Sequence, residues 1–246
     1  MIEAVILYST KDSRFYSQCI TQLIKAGVRC HVVSYTHLWN GILEDRESLL
    51  ESQKQFDKHE LVNHYCVDWK PGESPWYWEG LGRFLGTQRV LDSCEYVLYI
   101  DIDEIVDSQK LTAWIEKGDY RNYDVVRLTN YWYWREPIYQ AIQTEDSVVL
   151  LRTSIAKQLP FKEGSRELYV ESSRNILRRA ESQDPIVHHF SWVGTEEDML
   201  KKVENWGHTS ERDWISLVHK EFSTSFTGTD FVHGYSYNVV KNKFNL

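Results

Sequence analysis

Two periods of hydrophobicity alternate along the first hundred or so positions of the chain. Val5-Ile6-Leu7-Tyr8 is a short unbroken apolar run, which predicts a buried strand. Phe15, Cys19, Ile20, Leu23 and Ile24 follow at helical spacing, with Asp12 or Ser13 as the N-cap and Gly27 as the stop. Val28 to Tyr35 predicts a second strand. Ile42 to Lys58 reads as a charged amphipathic helix with Ile42, Leu49, Leu50, Gln53 and Phe56 on one stripe. Leu61 to Val67 predicts a third strand, and Pro71, Gly72 and Pro75 mark a loop that also carries Trp76 and Trp78. Gly80 to Ser93 predicts a helix with Leu81, Phe84, Leu85 and Leu91 inward. Tyr96 to Ile100 predicts a fourth strand.

Beyond residue 107 the pattern changes. Asp124 to Tyr133 and Asp146 to Arg152 are β-rich, and Val187 to Trp192 predicts another short strand. Two capping boxes follow, Thr195 with Asp198 and Ser210 with Asp213, each opening a helix. Trp214, Leu217, Val218 and Phe222 form the stripe of the second. The stretch from Thr227 to Leu246 has turn signals and aromatics but no clear period.

Strands that alternate with helices predict an α/β fold, a Rossmann-type, mainly parallel sheet flanked by helices. Such sheets bind ligands beyond the carboxyl ends of their strands. The fourth strand ends there in Asp101-Ile102-Asp103-Glu104. Unpaired carboxylates are costly at the end of a buried strand. Strand alternation points Asp101 and Asp103 to one side and Ile102 to the other. Two hard oxygen ligands one strand step apart suit Mg²⁺ or Mn²⁺, and such an ion can hold a diphosphate. The competing reading is a helix cap or turn signal.

The 246 residues are 42% hydrophobic and 26% charged, enough for a core of useful size in one large domain or two small ones. A net charge of -8 excludes a global basic field drawing the chain to nucleic acid or anionic lipid, although a local basic groove stays open. Cys19, Cys30, Cys66 and Cys94 form no CxxC pair and lie in or beside apolar stretches, as reduced, buried thiols do. No apolar run approaches the roughly 20 residues of a membrane span, so a cytoplasmic protein is expected. The chain has 10 Trp and 15 Tyr, an excess that fits surfaces stacking on sugar rings or bases as well as core.

The run Tyr96-Val-Leu-Tyr-Ile-Asp101-Ile-Asp103-Glu104 resembles the DxD segment of glycosyltransferases of the GT-A fold, in the DxDE form of the subset related to family 2. His188-His189-Phe190-Ser191, with Lys201 and Lys202 on the next helix, resembles the later HHY/F…S/T…K segment of that subset. The resemblance covers roughly residues 1 to 205. It implies one domain over residues 1–246: a nucleotide-binding half (1–107), then a β-rich acceptor half with C-terminal helices (108–246).

It further implies sugar transfer from a nucleotide-diphosphate donor, a UDP-sugar first, with Mn²⁺ or Mg²⁺ gripping the diphosphate as a Lewis acid. Asp103 would be a direct ligand, Asp101 would reach the ribose or the ion through water, and His189 rather than His188 would complete the shell. Arg83, or else Arg89, would stand near the diphosphate. Tyr8, Ser9 and Thr10, at the end of the first strand, and Asp68, after the third, would hold the nucleotide. For the base that takes the acceptor proton, Glu163 in its Gly-containing loop is the first choice, ahead of Glu145, Asp146 and Asp213.

Lys201 and Lys202 read as a solvated helix face more readily than as site residues. Trp76 and Trp78 read as a mobile aromatic wall, and one face of Tyr131-Trp132-Tyr133-Trp134 as a stacking surface. The ED…QxxRW segment of processive family 2 enzymes is absent. The acceptor would be a glycan, a lipid-linked or another hydroxyl, with a modified base in nucleic acid still open. Two other readings compete. A metal-dependent nucleotidyltransferase would show a Gly-rich phosphate loop, which Tyr8-Ser-Thr-Lys-Asp12 is not. A non-catalytic carbohydrate-binding domain would explain the aromatics but not the acidic pair.

Overall fold

The computed structural model describes residues 1–178 and 184–246. The elements are β1 (Ile2–Leu7), α1 (Ser13–Lys25), β2 (Arg29–Tyr35), α2 (Arg46–Lys54), β3 (Val62–Val67), α3 (Pro75–Arg89), β4 (Tyr96–Asp101), β5 (Glu104–Val106) and α4 (Ser108–Lys117). There follow β6 (Val125–Arg152), the short α5 (Thr153–Ala156) and α6 (Glu167–Val170), β7 (Ile176–Leu177), β8 (Val187–Val193), α7 (Glu196–Val203), α8 (Trp214–Phe222) and β9 (Tyr237–Val239).

One sheet runs β3-β2-β1-β4-β6-β8-β5, with β7 and β9 added to β6. The strands β3, β2, β1 and β4 are all parallel, β6 pairs antiparallel with β4, and β8 is parallel to β6. The chain is therefore an α/β protein built on a mostly parallel sheet flanked by helices. The 28-residue β6 turns back on itself: the Arg152 N–H donates to the Asp124 carbonyl at 2.8 Å, and Arg135 takes a positive φ of 58°. Among the described residues no helix is long and apolar enough to cross a membrane.

All of β1 is buried, because both its faces are covered. Ala4 and Ile6 pack with Phe15, Tyr16, Cys19 and Leu23 of α1. Val5 and Leu7 face α3, which approaches so closely that only glycine fits. A Cβ on Gly86 would stand 2.5 Å from Val5 Cγ1, and one on Gly82 would stand 2.6 Å from Leu7 Cδ2. A third cluster joins Trp132, Trp134 and Trp192 of β6 and β8 to Met199, Val203, Trp214 and Val218 of α7 and α8.

Several expected boundaries move. α3 begins at Pro75, capped by Ser74, rather than at Gly80, so Trp76 and Trp78 sit in its first turn and not in a mobile loop. Its buried face carries Gly82, Arg83, Gly86 and Thr87, while Leu85 and Leu91 are exposed, the reverse of the expected wheel. α2 covers only Arg46–Lys54, started by Asp45, and Ile42 is 58% exposed. An unexpected helix, α4, follows β5, although Asp107 as N-cap, Leu111, Trp114 and Ile115 at helical spacing and Gly118 at the end mark it in the sequence. The capping box of Thr195 and Asp198 is present, whereas at α8 Asp213 itself is the N-cap. Cys19, Cys30 and Cys94 are buried free thiols, and Cys66 is exposed.

Candidate active site

A cavity of about 490 Å³ opens beyond the carboxyl ends of β1, β2 and β4 and is closed on its far side by β6, β8 and the segment after α7. Leu7 and Asp101 are register partners, so the ends of β1 and β4 deliver the chain to the same rim. β4 stops at Asp101. Ile102 and Asp103 form a turn and β5 starts at Glu104, so Asp101 and Asp103 reach the cavity across a turn and not by strand alternation, and Ile102 lines it too. Two bonds fix that turn: the Asp101 N–H donates to Glu104 Oε2 at 2.8 Å, and the Phe190 N–H of β8 donates to the Asp103 carbonyl at 2.8 Å.

Every carboxylate of the acidic cluster is matched by a cation. Arg83 Nη2 stands 3.0 Å from Asp101 Oδ1, and Arg83 also pairs with Glu79 one helical turn earlier. Arg166 lies 3.5 Å from Asp101 Oδ2 and grips the fully buried Glu104 with both terminal nitrogens, at 2.6 and 2.5 Å. Lys202 Nζ donates to Asp103 Oδ2 at 2.9 Å. Burial alone would raise Asp103, but the Lys202 ammonium and the neighbouring His189 outweigh it and hold the carboxyl well below its ordinary range. Asp101 is held down likewise by Arg166 and Arg83 against burial. Both are carboxylates at neutral pH.

The two histidines of β8 part company because strand side chains alternate. His189 lines the cavity, with Nε2 3.8 Å from Asp103 Oδ1 and its ring edge-on to Trp132. His188 points into the core, where its Nδ1 lies 2.7 Å from the Tyr133 hydroxyl, and burial pushes it down to about 3.

The donor set decides how a divalent ion would fit. Ligands each about 2.1 Å from one ion can stand up to about 4.2 Å apart. Asp103 Oδ1 and His189 Nε2 meet that condition at 3.8 Å. Among the described residues no third His, Cys, Asp or Glu completes a ready-made cluster. These two side chains therefore offer part of a coordination shell, which substrate oxygens and water must complete.

The remaining predicted residues separate into those that line the cavity and those that do not. Tyr8 and Ser9 line it, as Arg83 does. Tyr8 Oη bonds Ser52 Oγ at 2.6 Å, and burial pushes its phenol up to about 12. Ser9 Oγ and the Thr10 N–H donate to the buried Glu44, at 3.1 and 3.0 Å, and Thr10 Oγ1 bonds it as well. Thr10 and Asp68 lie off the cavity, and Asp68 is exposed. Arg89 is exposed and stacks over Tyr65, 5.3 Å from the ring centroid. Glu163 is exposed, accepts a bond from Ser74 and does not line the cavity. Glu145, Asp146 and Asp213 also lie outside it, bonded to Tyr235, Arg127 and the start of α8 respectively.

Several residues that line the chamber carried little signal in the sequence. Lys202 is buried against Asp103 rather than solvated on α7. Arg166, Asp12, Lys11 and Glu44 face the same space. Asp12 holds the N-cap position of α1 but bonds no backbone N–H there. Trp132 and Trp76 form parts of the wall, whereas Trp78 and Trp134 are core. The capping box at Thr195 could have placed Lys202, since it fixes the phase of α7.

The chain matches no protein-family profile and no characterised protein sequence. Among solved structures, residues 1–349 of Staphylococcus aureus TarS superpose with a TM-score of 0.47 at 12% identity, covering 90% of this chain and 72% of that one. Rv0371C of Mycobacterium tuberculosis H37Rv, crystallised with manganese, gives a TM-score of 0.43 at 13% identity, covering 72% and 86% respectively.

Proposed function

We propose that the protein is a glycosyltransferase that moves a sugar from a nucleotide-diphosphate donor, a UDP-sugar first, to a hydroxyl of a glycan or lipid-linked acceptor. One observation carries the reading. Two ionised carboxylates, Asp101 and Asp103, stand at the carboxyl edge of a parallel sheet, in a cavity also lined by arginine, lysine and tryptophan. That combination suits an anion joined to a flat apolar ring. In this reading residues 1–107 hold the nucleotide and residues 108–246 hold the acceptor, within one domain.

Asp103 and His189 would hold a divalent ion, Mn²⁺ before Mg²⁺ because of the imidazole, with Asp101 reaching it through water. A bound ion would supply Lewis-acid stabilisation of the departing diphosphate. The chain's own residues do the rest. Arg83 and Arg166 fix Asp101, the Glu104–Arg166 pair fixes the turn, and Tyr8 and Ser9 border the space for the nucleoside. Trp132 and Trp76 offer faces or edges to a sugar. The acceptor proton has carboxylates inside the cavity to go to, Asp12 and Glu79 among them, and Glu163 would need to move to compete.

Melting the protein with UDP or GDP, each with Mn²⁺ and with EDTA, tests the reading, since a ligand of the folded state raises the midpoint. A rise with one nucleotide that Mn²⁺ enlarges supports it and names the base. No rise with either, in either buffer, would contradict it.

A further inference from the structure

Two ammonium groups reach the cavity from opposite elements. Lys11 comes from the turn between β1 and α1, and Lys202 from α7. A backbone link joins them: Lys11 Nζ donates to the Asn205 carbonyl at 3.0 Å, and the Asn205 N–H donates to the Lys202 carbonyl at 3.0 Å. Lys202 has its carboxylate in Asp103. Lys11 does not. Among the described residues no carboxylate lies within 4 Å of its Nζ, although Arg83, Arg166 and Lys202 around the same chamber all have such partners. Burial pulls the Lys11 ammonium below its ordinary range and Lys202 adds to that, against the opposing pull of Asp12, Asp103 and Glu44, none of which touches it. A half-buried cation with no carboxylate in direct contact gains from an anion that visits it.

An ammonium has three donors. Lys11 uses one on Asn205 and Lys202 uses one on Asp103, which leaves two on each for a ligand. We infer that Lys11 and Lys202 form an anion subsite in the cavity wall that grips the terminal phosphate of a diphosphate through the chain's own charges, without a divalent ion. The identity of the anion as a donor diphosphate rests on the transferase reading above. The subsite itself does not. Its consequence is that part of the donor's binding survives removal of metal, and that a monophosphate, which lacks the terminal group, gains less from Lys11.

The test is calorimetric titration of the full chain with inorganic pyrophosphate in EDTA. Wild type should bind, and Lys11→Met should bind about tenfold or more weakly, the loss of one charge-assisted contact. Lys11→Arg should retain most of the affinity. Absence of pyrophosphate binding to wild type in EDTA would overturn the inference, and so would equal binding by Lys11→Met. If Lys11→Met does not fold, Lys11→Gln replaces it, and the wild-type titration remains decisive alone. The two readings fail separately. Pyrophosphate bound in EDTA with no nucleotide bound under any condition keeps the subsite and removes the donor. A nucleotide bound with Mn²⁺ and no pyrophosphate bound in EDTA does the reverse.

Discussion

Arg166 closes on Glu104 with both terminal guanidinium nitrogens, at 2.6 and 2.5 Å, in a spot where Glu104 has no exposed surface. Ser147 Oγ donates to the same carboxylate at 2.7 Å, and the carboxylate accepts the Asp101 N–H at 2.8 Å. The pair therefore ties the segment before α6 and the β6 hairpin to the turn that presents Asp101 and Asp103.

Removing one partner of such a pair leaves a buried charge without compensation. Arg166→Met should cost about 3–5 kcal/mol of unfolding free energy, read from the shift of a urea midpoint. The double variant Arg166→Met with Glu104→Gln should recover part of that loss. A single variant within about 0.5 kcal/mol of wild type would show that the pair does not hold the turn.

His188 sets a pH dependence of stability. Its ordinary value is 6.5, and burial in the folded state pushes it down to about 3. Between those values the unfolded chain binds a proton that the folded one refuses, so stability rises with pH from about 3 to about 6.5 and is lost as pH falls through that window. His31 and His64, pushed down mainly by burial, act in the same direction, so the comparison must be made with a variant. In His188→Phe the slope of unfolding free energy against pH should fall by about one proton, roughly 1.4 kcal/mol per pH unit. An unchanged slope would mean that His188 is solvated in the folded state.

The glycine face of α3 makes a contrast between neighbours. At Gly86 an added Cβ would stand 2.5 Å from Val5 Cγ1, so Gly86→Ala should destabilise by about 1–3 kcal/mol even though alanine is the better helix former. Leu85, one position earlier, is exposed, and Leu85→Ala should change stability by less than about 0.5 kcal/mol. The opposite order in thermal or urea unfolding would restore the helix orientation that the leucines suggest.

That contrast also shows what the chain's pattern could and could not reveal. The parallel half of the sheet was legible, because buried strands read as apolar runs and α1 as a regular stripe. α3 was not, since periodicity weighs large apolar side chains, whereas this helix buries glycines to come close to β1 and turns Arg83 inward to meet Asp101. That Asp101 and Asp103 stand at the carboxyl end of β4 was readable from the apolar run before Asp101, but the turn that brings both to the cavity was not. The division between His188 and His189 follows strand alternation along β8. For Lys202 the capping box fixes the phase of α7 but not what that face meets, because its partner Asp103 lies on a turn 99 positions away in sequence. Lys11 and Arg166 were hidden for the same reason: their partners are distant in the chain. Glu163 looked promising from its loop, yet it bonds Ser74 at the start of α3, outside the cavity.

The most direct measurement is release of nucleoside diphosphate from a panel of nucleotide-sugars with Mn²⁺, comparing wild type with Asp103→Asn. The variant removes the charge shared with Lys202 and His189 while keeping the shape of the side chain. Wild type should release diphosphate from one donor, and Asp103→Asn should lower that rate by about 100-fold or more while still unfolding cooperatively. A folded Asp103→Asn protein that turns over as fast as wild type would contradict the account.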